Sequence, residues 1–175
     1  VTDNGKVPAD NPFVNDDAPL PEIWSYGHRN PQGILVDAQT GTVFETEHGP
    51  RGGDELNLIK LGSDYGWPFV SYGQPYGGGD YVRPGKTGTH AGYPEPLTYW
   101  VPSIAPTELV QLPKQGWGNW NGAVVLGTLR EEVLVFIKLN QNLQVVEKIQ
   151  VDVGHRVRDL EMLSNGSMVM STDSG

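Results

Sequence analysis

Short apolar runs separated by turn signals fill this sequence, and helical periodicity is nearly absent. Such runs, paired across Gly- and Asn-containing turns, are typical of antiparallel hairpins. Hairpins are predicted over residues 34–47, 123–153 and 160–173, and residues 66–73 are expected to add a short strand. The chain is therefore predicted to be all-β, as a barrel, a sandwich or a propeller.

One repeated feature favours a propeller. A loop that begins Gly-His-Arg precedes a hairpin twice, at residues 27–29 and 154–156. If hairpins repeat as blades, equivalent loops lie at the same end of the disc, and these two basic loops converge near its axis. A sandwich remains possible on this observation alone.

The composition excludes several classes of protein. The 175 residues suit one domain, taken as residues 1–175, and a net charge of −9 argues against binding nucleic-acid phosphates. No apolar run reaches the roughly 18 residues of a membrane span. No thiolate metal site is possible without cysteine, and no zinc-binding histidine pattern occurs. Val1 and the lack of a signal peptide suggest a chain processed or cut from something longer.

Arginines in this acidic chain need an explanation. Arg29, Arg130, Arg156 and Arg158 fall at strand edges or in loops. They could hold an anionic ligand, or they could pair with surface carboxylates. Arg156 and Arg158 share one strand face, so they repel each other unless an anion lies between them.

Two Gly- and Pro-rich segments are candidate binding loops. Residues 48–55 form either a rigid surface turn or a Ca²⁺ site made of backbone carbonyls with the Glu55 carboxylate. Residues 74–96 form a long loop, of a kind that is usually functional or poorly ordered. Asn30 could donate its amide to an oxyanion, and Trp100 either packs in the core or stacks on a planar ligand.

Several motifs together carry a family resemblance. They are "YGHRNPQG", "TEHGPRGGDELNLI", "GSDYGWPFVSYG", "SIAP", "LGTLREEVLVFIKL" and "HRVRDL", in this order from about residue 4 to 175. The sequence resembles the soluble pyrroloquinoline quinone (PQQ)-dependent aldose sugar dehydrogenases of the glucose/sorbosone dehydrogenase family. That family folds as six-bladed β-propellers, so the resemblance implies a partial propeller of roughly three blades.

The resemblance implies roles for the two loops. Arg29 and Asn30 match the pair that faces the quinone and its C5 oxygen. Gly49 and Pro50 match the residues whose carbonyls bind the Ca²⁺ of the cofactor. Ca²⁺ would then polarise the C5 carbonyl while the pair steadies the developing negative charge.

Further positions match the family residue by residue. Arg130, Arg156 and Arg158 match contacts to PQQ carboxylates, and Trp100 matches an aromatic near the substrate side of the cofactor site. Glu55 and the Tyr65 carbonyl match a second, structural Ca²⁺ site.

The resemblance also implies a missing part. The family's catalytic His, which accepts the proton of the sugar hydroxyl, precedes the matched region. The chain is thus expected to be an oxidoreductase of the aldose C1 hydroxyl, or a cofactor-binding part of one. Its expected partners are an aldose, an electron acceptor, and the missing N-terminal half or a second copy, in the periplasm or secreted. The alternative is a catalytically incomplete binding or scaffold module.

Overall fold

The computed structural model describes residues 2–17, 19–78, 90 and 92–175. These residues contain ten strands and one turn of 3₁₀ helix, joined by loops. The strands are β1 (Pro31–Val36), β2 (Val43–Glu47), β3 (Asp54–Ile59), β4 (Thr98–Trp100), β5 (Pro106–Gln111), β6 (Val124–Thr128), β7 (Val133–Leu139), β8 (Val145–Asp152), β9 (Val157–Met162) and β10 (Met168–Thr172). The helical turn is Gly118–Trp120. The all-β prediction is confirmed.

The strands form consecutive antiparallel sheets in chain order. We name β1-β2-β3-β4 the first blade, β5-β6-β7-β8 the second blade, and the β9-β10 hairpin the third blade. The leading strands β1, β5 and β9 neighbour one another, as the innermost strands of adjacent propeller blades do. The prediction of a partial propeller of roughly three blades is therefore confirmed, with the β9-β10 hairpin in the place of the third blade.

Two apolar layers hold the blades together. Phe44, Leu56 and Trp100 of the first blade pack against one face of the second blade. The other face of the second blade packs against Val157 and Leu160 of the third. Alternation along β6 and β7 supplies both layers, because successive side chains point to opposite faces of a strand. Burying each of these side chains stabilises the fold by roughly 1.5–3 kcal/mol.

The predicted hairpins are present, but one predicted strand is wrong. Residues 66–73 contain no strand, because the Gly66 carbonyl accepts the amides of Phe69 and Val70 and closes a turn there. Of the predicted loop 74–96, residues 79–89 and 91 lie outside the described part of the chain. Among the described residues, no helix is long and apolar enough to cross a membrane.

Candidate functional site

The two candidate loops are tied together at the end of β2. Glu47, the last residue of β2, accepts the backbone amides of Arg29 at 2.6 Å and Asn30 at 3.2 Å through one carboxylate oxygen. The Arg29 guanidinium donates from Nη1 to the His48 carbonyl at 2.8 Å and lies 5.3 Å from the centre of the Trp67 ring. Arg29 and Asn30 are thereby held beside the start of the 48–53 turn.

Asp54 anchors that turn to the segment that leads into the second blade. Its side chain is fully buried, and Oδ1 accepts the Gly49 amide at 3.0 Å. Oδ2 accepts the Ser103 hydroxyl at 2.6 Å and the amides of Ile104 and Ala105 at 2.9 and 2.8 Å. Charge-assisted bonds of this kind are roughly twice as strong as neutral ones, so one carboxylate fixes the turn rigidly.

Glycine is required within the turn. A Cβ atom on Gly49 would lie 2.2 Å from the Gly52 carbonyl oxygen, and one on Gly53 would lie 2.1 Å from the Gly73 nitrogen. Gly53 also has a positive φ of 71°. Within the described residues, the Gly49 and Pro50 carbonyls accept no hydrogen bond, so both oxygens are available to a cation.

Three carboxylates converge beneath the turn. The Asn57 amide nitrogen lies 3.1 Å from Glu45, 3.1 Å from Glu47 and 3.2 Å from Glu55, and all four side chains are buried. Burial, followed by the neighbouring Glu47 charge, raises the pKa of Glu45 to about 9. Burial also raises the pKa of Glu55. The cluster therefore concentrates negative charge that needs protons or a cation to offset it.

Glu55 and Tyr65, the predicted pair for a second cation, line the same small cavity as Gly49. Its volume is about 10 Å³, close to the minimum for one water-sized species. The Tyr65 carbonyl accepts no hydrogen bond from the described residues. His90 also lines the cavity, and its Nε2 lies 2.9 Å from Glu55. Burial lowers the pKa of His90, but the Glu55 contact outweighs it and raises that pKa overall.

His28, to which the sequence analysis assigns no role, belongs to this cluster. Its ring stacks on Tyr65 with centroids 4.5 Å apart, and Nε2 lies 2.9 Å from the Ser25 hydroxyl. Nδ1 lies 3.9 Å from Glu45 and 3.8 Å from Glu47.

Sequence reasoning also missed the polar face of the first blade. The members that it missed are Glu45, Glu47, Asn57 and His90. The usable signal was the E-x-E of β2 facing the E-x-N of β3, since a period of two places both pairs on one face.

Arg130 lines an open groove of about 450 Å³ that Pro50, Arg51 and Gly52 also line. Its guanidinium lies 3.7 Å from Glu131, and its side chain is largely exposed. The structure thus brings Arg130 to the Pro50 side of the turn. Its contact with a ligand stays a prediction.

Arg156 and Arg158 share a protein anion. Arg158 donates hydrogen bonds to the Asp173 carboxylate from Nε and, at 3.1 Å, from Nη2. Arg156 Nη1 lies 3.5 Å from the same carboxylate. The bond from Arg158 lowers the pKa of Asp173. The anion expected between the two arginines is therefore present as Asp173, and their contact with a cofactor stays a prediction.

Trp100 packs in the layer between the first and second blades and is 7% exposed. Lys148 lies 4.9 Å above its ring. Val101, the next residue, is exposed and lines the Arg130 groove. The packing supports the core interpretation of Trp100, and its predicted position beside a cofactor is untested.

Comparison with known proteins places the chain in a family. The sequence profile named Glucose / Sorbosone dehydrogenase matches residues 1–175. The aldose sugar dehydrogenase YliI of Escherichia coli K12 is 34% identical over 99% of this chain and 47% of its own length. A glucose dehydrogenase crystal structure superposes with a TM-score of 0.89 at 36% identity, covering 99% of this chain and 50% of that one.

A third relative was solved with cofactor. The PQQ-bound aldose sugar dehydrogenase of Streptomyces coelicolor superposes with a TM-score of 0.65 at 29% identity, covering 91% of this chain and 40% of that one. The chain spans about half the length of the relatives that it matches. With a profile match along its whole length, the chain belongs to the glucose/sorbosone dehydrogenase family.

Proposed function

We propose that this chain forms the cofactor-holding part of a sugar dehydrogenase that uses PQQ with Ca²⁺ and oxidises the C1 hydroxyl of aldoses. The observation that carries the proposal is the set of hydrogen bonds that connects the 26–33 loop to the 48–53 turn. Glu47 and the His48 carbonyl hold Arg29 and Asn30 beside the Gly49 carbonyl, so charged donors and cation ligands form one rigid unit.

The donor set suits both absent groups. PQQ carries carboxylates, and Arg29 offers a buried Nε without a hydrogen-bond partner. Ca²⁺ prefers oxygen ligands, and the Gly49 and Pro50 carbonyls are free of hydrogen bonds within the described residues. Arg130 on the Pro50 side would add a further cation for a cofactor carboxylate. Arg156 and Arg158 would contribute through their faces not taken by Asp173.

When bound, PQQ supplies a hydride acceptor and Ca²⁺ a Lewis acid. Arg29 and the Asn30 amide would stabilise negative charge developing on the cofactor oxygen. Trp67 and the His48 carbonyl fix the guanidinium, so little reorganisation is needed when that charge appears. The base that takes the sugar hydroxyl proton is expected outside this chain, in an N-terminal half or a partner. The site of action is proposed to be the periplasm or the cell exterior.

A second Ca²⁺ is proposed at the Glu55 carboxylate and the Tyr65 carbonyl, which line one small cavity. Glu55→Gln should lower the melting temperature in Ca²⁺ and have little effect in chelator, because the ion stabilises only the folded state. An equal Ca²⁺-dependent shift in the wild type and the variant would contradict this site.

The activity is tested in the full-length protein by reduction of an artificial dye with an aldose, with PQQ and Ca²⁺ added. Asn30→Ala should lower kcat by about 10²–10³-fold, since a single oxyanion donor contributes about that much. If the wild type binds PQQ but reduces no dye with any aldose, the chain is a binding or scaffold module. Activity that does not depend on PQQ would refute the proposal.

A further inference from the structure

Apart from the Glu47 oxygen that holds Arg29 and Asn30, one part of the polar cluster has no role in the function proposed above. His28, Glu45 and Glu47 each offer a donor atom, and these atoms lie within 4.8 Å of one another. Glu47 uses Oε2 to hold the amides of Arg29 and Asn30, while Oε1 accepts a bond from the Asn57 amide and lies 3.8 Å from His28 Nδ1. Glu45 Oε2 lies 3.9 Å from the same nitrogen.

Side chains at this spot carry buried polar atoms without hydrogen-bond partners. Glu45 Oε1, His28 Nδ1 and Asn57 Oδ1 are buried and have no hydrogen-bond partner. Glu45 is 4% exposed and Asn57 is fully buried. A buried polar atom without a partner is costly, and His28 Nδ1 faces both carboxylates without one, which indicates that something binds there.

The contacts of His28 favour the tautomer that a metal ligand needs. Ser25 lies 2.9 Å from Nε2 and can accept the proton of that nitrogen. Nδ1 then keeps its lone pair and faces two carboxylates. An outer partner that fixes the tautomer in this way is the usual companion of a metal-binding imidazole.

We propose that His28, Glu45 and Glu47 bind a divalent transition-metal ion of the zinc class. One imidazole with two carboxylates suits Zn²⁺, whereas Ca²⁺ takes oxygen ligands alone. A tetrahedral ion with bonds of about 2.0–2.1 Å needs donors roughly 3.3 Å apart, so the imidazole and the carboxylates must draw together when the ion binds. A water molecule would complete the coordination.

An ion can reach this position. His28 and Glu45 line an open cavity of about 540 Å³ that runs over the outer face of the first blade. Trp24, Ile34 and Val36 line its apolar part. Two of the three proposed ligands, His28 and Glu45, therefore border this cavity.

The site differs from the proposed Ca²⁺ site by its ligands. Glu55 accepts a bond from the Asn57 amide and lies 2.9 Å from His90 Nε2, and it is not among the three donors near His28. Asn57 lies between the two groups of carboxylates. Two ions of different classes can therefore be distinguished by substitution.

The test is calorimetric titration of Zn²⁺ into chelator-treated protein with Ca²⁺ held at saturation. Wild type should take up one Zn²⁺ that Glu45→Gln and His28→Gln each bind at least about 10-fold more weakly. Glu131→Gln, which removes an exposed carboxylate, should bind Zn²⁺ as wild type does. Glu55→Gln should weaken Ca²⁺ binding and retain the Zn²⁺ site. Circular dichroism establishes that each variant is folded.

Co²⁺ provides an independent readout through its visible absorption. A tetrahedral site with one imidazole should give intense bands in wild type that are lost in His28→Gln. No Zn²⁺ uptake by the wild type, or uptake that neither His28→Gln nor Glu45→Gln weakens, would overturn the proposal. Loss of Ca²⁺ rather than Zn²⁺ in Glu45→Gln would also overturn it, since the cluster would then serve the calcium site.

Discussion

The first and second blades share one four-stranded topology and bury different chemistry. β6 and β7 of the second blade place apolar side chains on both faces, including Leu126 and Ile137 on one and Phe136 on the other. β2 and β3 of the first blade place Phe44 and Leu56 on one face, and carboxylates on the other.

This difference indicates that the second blade contributes mainly to stability, whereas the first blade carries the candidate site. Buried carboxylates weaken a fold unless they are hydrogen-bonded or bind a cation. The first blade satisfies part of this need through Asn57 and the amides of the 26–33 loop, and part remains open. The second blade has an apolar interior and supports its neighbours on both sides.

The largest expected effect follows loss of the Asp54 anchor. Asp54→Ala leaves the buried Ile104 amide without an acceptor and removes the bonds from Ser103, Ala105 and Gly49, so the free energy of unfolding should fall by roughly 3–5 kcal/mol. Denaturant titration measures this. Asp152→Ala is the matched control, because exposed Asp152 bonds only the nearby Gly154 amide, and it should change stability by less than about 1 kcal/mol. Equal losses would show that Asp54 is not an anchor.

Removing apolar volume from the second blade should come next. Leu126 is fully buried, and Leu126→Ala should lower the free energy of unfolding by about 3 kcal/mol through lost burial and a cavity. Leu61→Ala, at a side chain that is 51% exposed, should stay within about 0.5 kcal/mol of wild type. A small effect at Leu126 would mean that the second blade is not the supporting element.

The same contrast explains which strands could be predicted from the sequence. Hairpins in the second and third blades were predictable because their apolar runs alternate between turns. β3 was missed because Asp54, Glu55 and Asn57 make it read as polar, although all three are buried. Their burial depends on partners elsewhere in the chain, and no local pattern contains those.

The site was predictable to a similar extent. The two loops could be identified because Gly, Pro, His and Arg are concentrated in them. The hydrogen bonds that connect the loops could not be predicted, because they join residues far apart in the sequence. Glu47 bonds Arg29, 18 residues earlier, and Asp54 bonds Ser103, 49 residues later. Such contacts arise only when the strands pair.

A smaller effect on the free energy of unfolding, with the opposite sign, is expected for Glu45→Gln. Its pKa of about 9 in the fold exceeds the 4.5 of an ordinary Glu, so the unfolded chain loses the proton first as pH rises. Stability should therefore fall between those values, and Glu45→Gln should remove the fall. In chelator, Glu45→Gln should gain roughly 1–3 kcal/mol at pH 8 and almost nothing near pH 4. A loss of stability at pH 8 would contradict the assigned burial of charge.

The smallest effect on stability is expected at Arg158. It lies at the surface with Asp173, so Arg158→Ala should leave the melting temperature nearly unchanged. If Arg158 contacts a PQQ carboxylate, the same substitution should weaken PQQ binding by about 10- to 100-fold. Unchanged affinity would leave it as an ordinary surface charge.

The most direct measurement is titration of PQQ by absorbance into the full-length protein, with Ca²⁺ and with chelator. PQQ should bind in a Ca²⁺-dependent manner, and Arg29→Ala should weaken binding by about 10- to 100-fold. Lys114→Ala removes a cation from the β5–β6 connection, at the end of the blades opposite the 48–53 turn, and should bind as wild type does. Equal affinities for all three proteins, or binding indifferent to Ca²⁺, would contradict the claim that the loops of the first blade hold the cofactor.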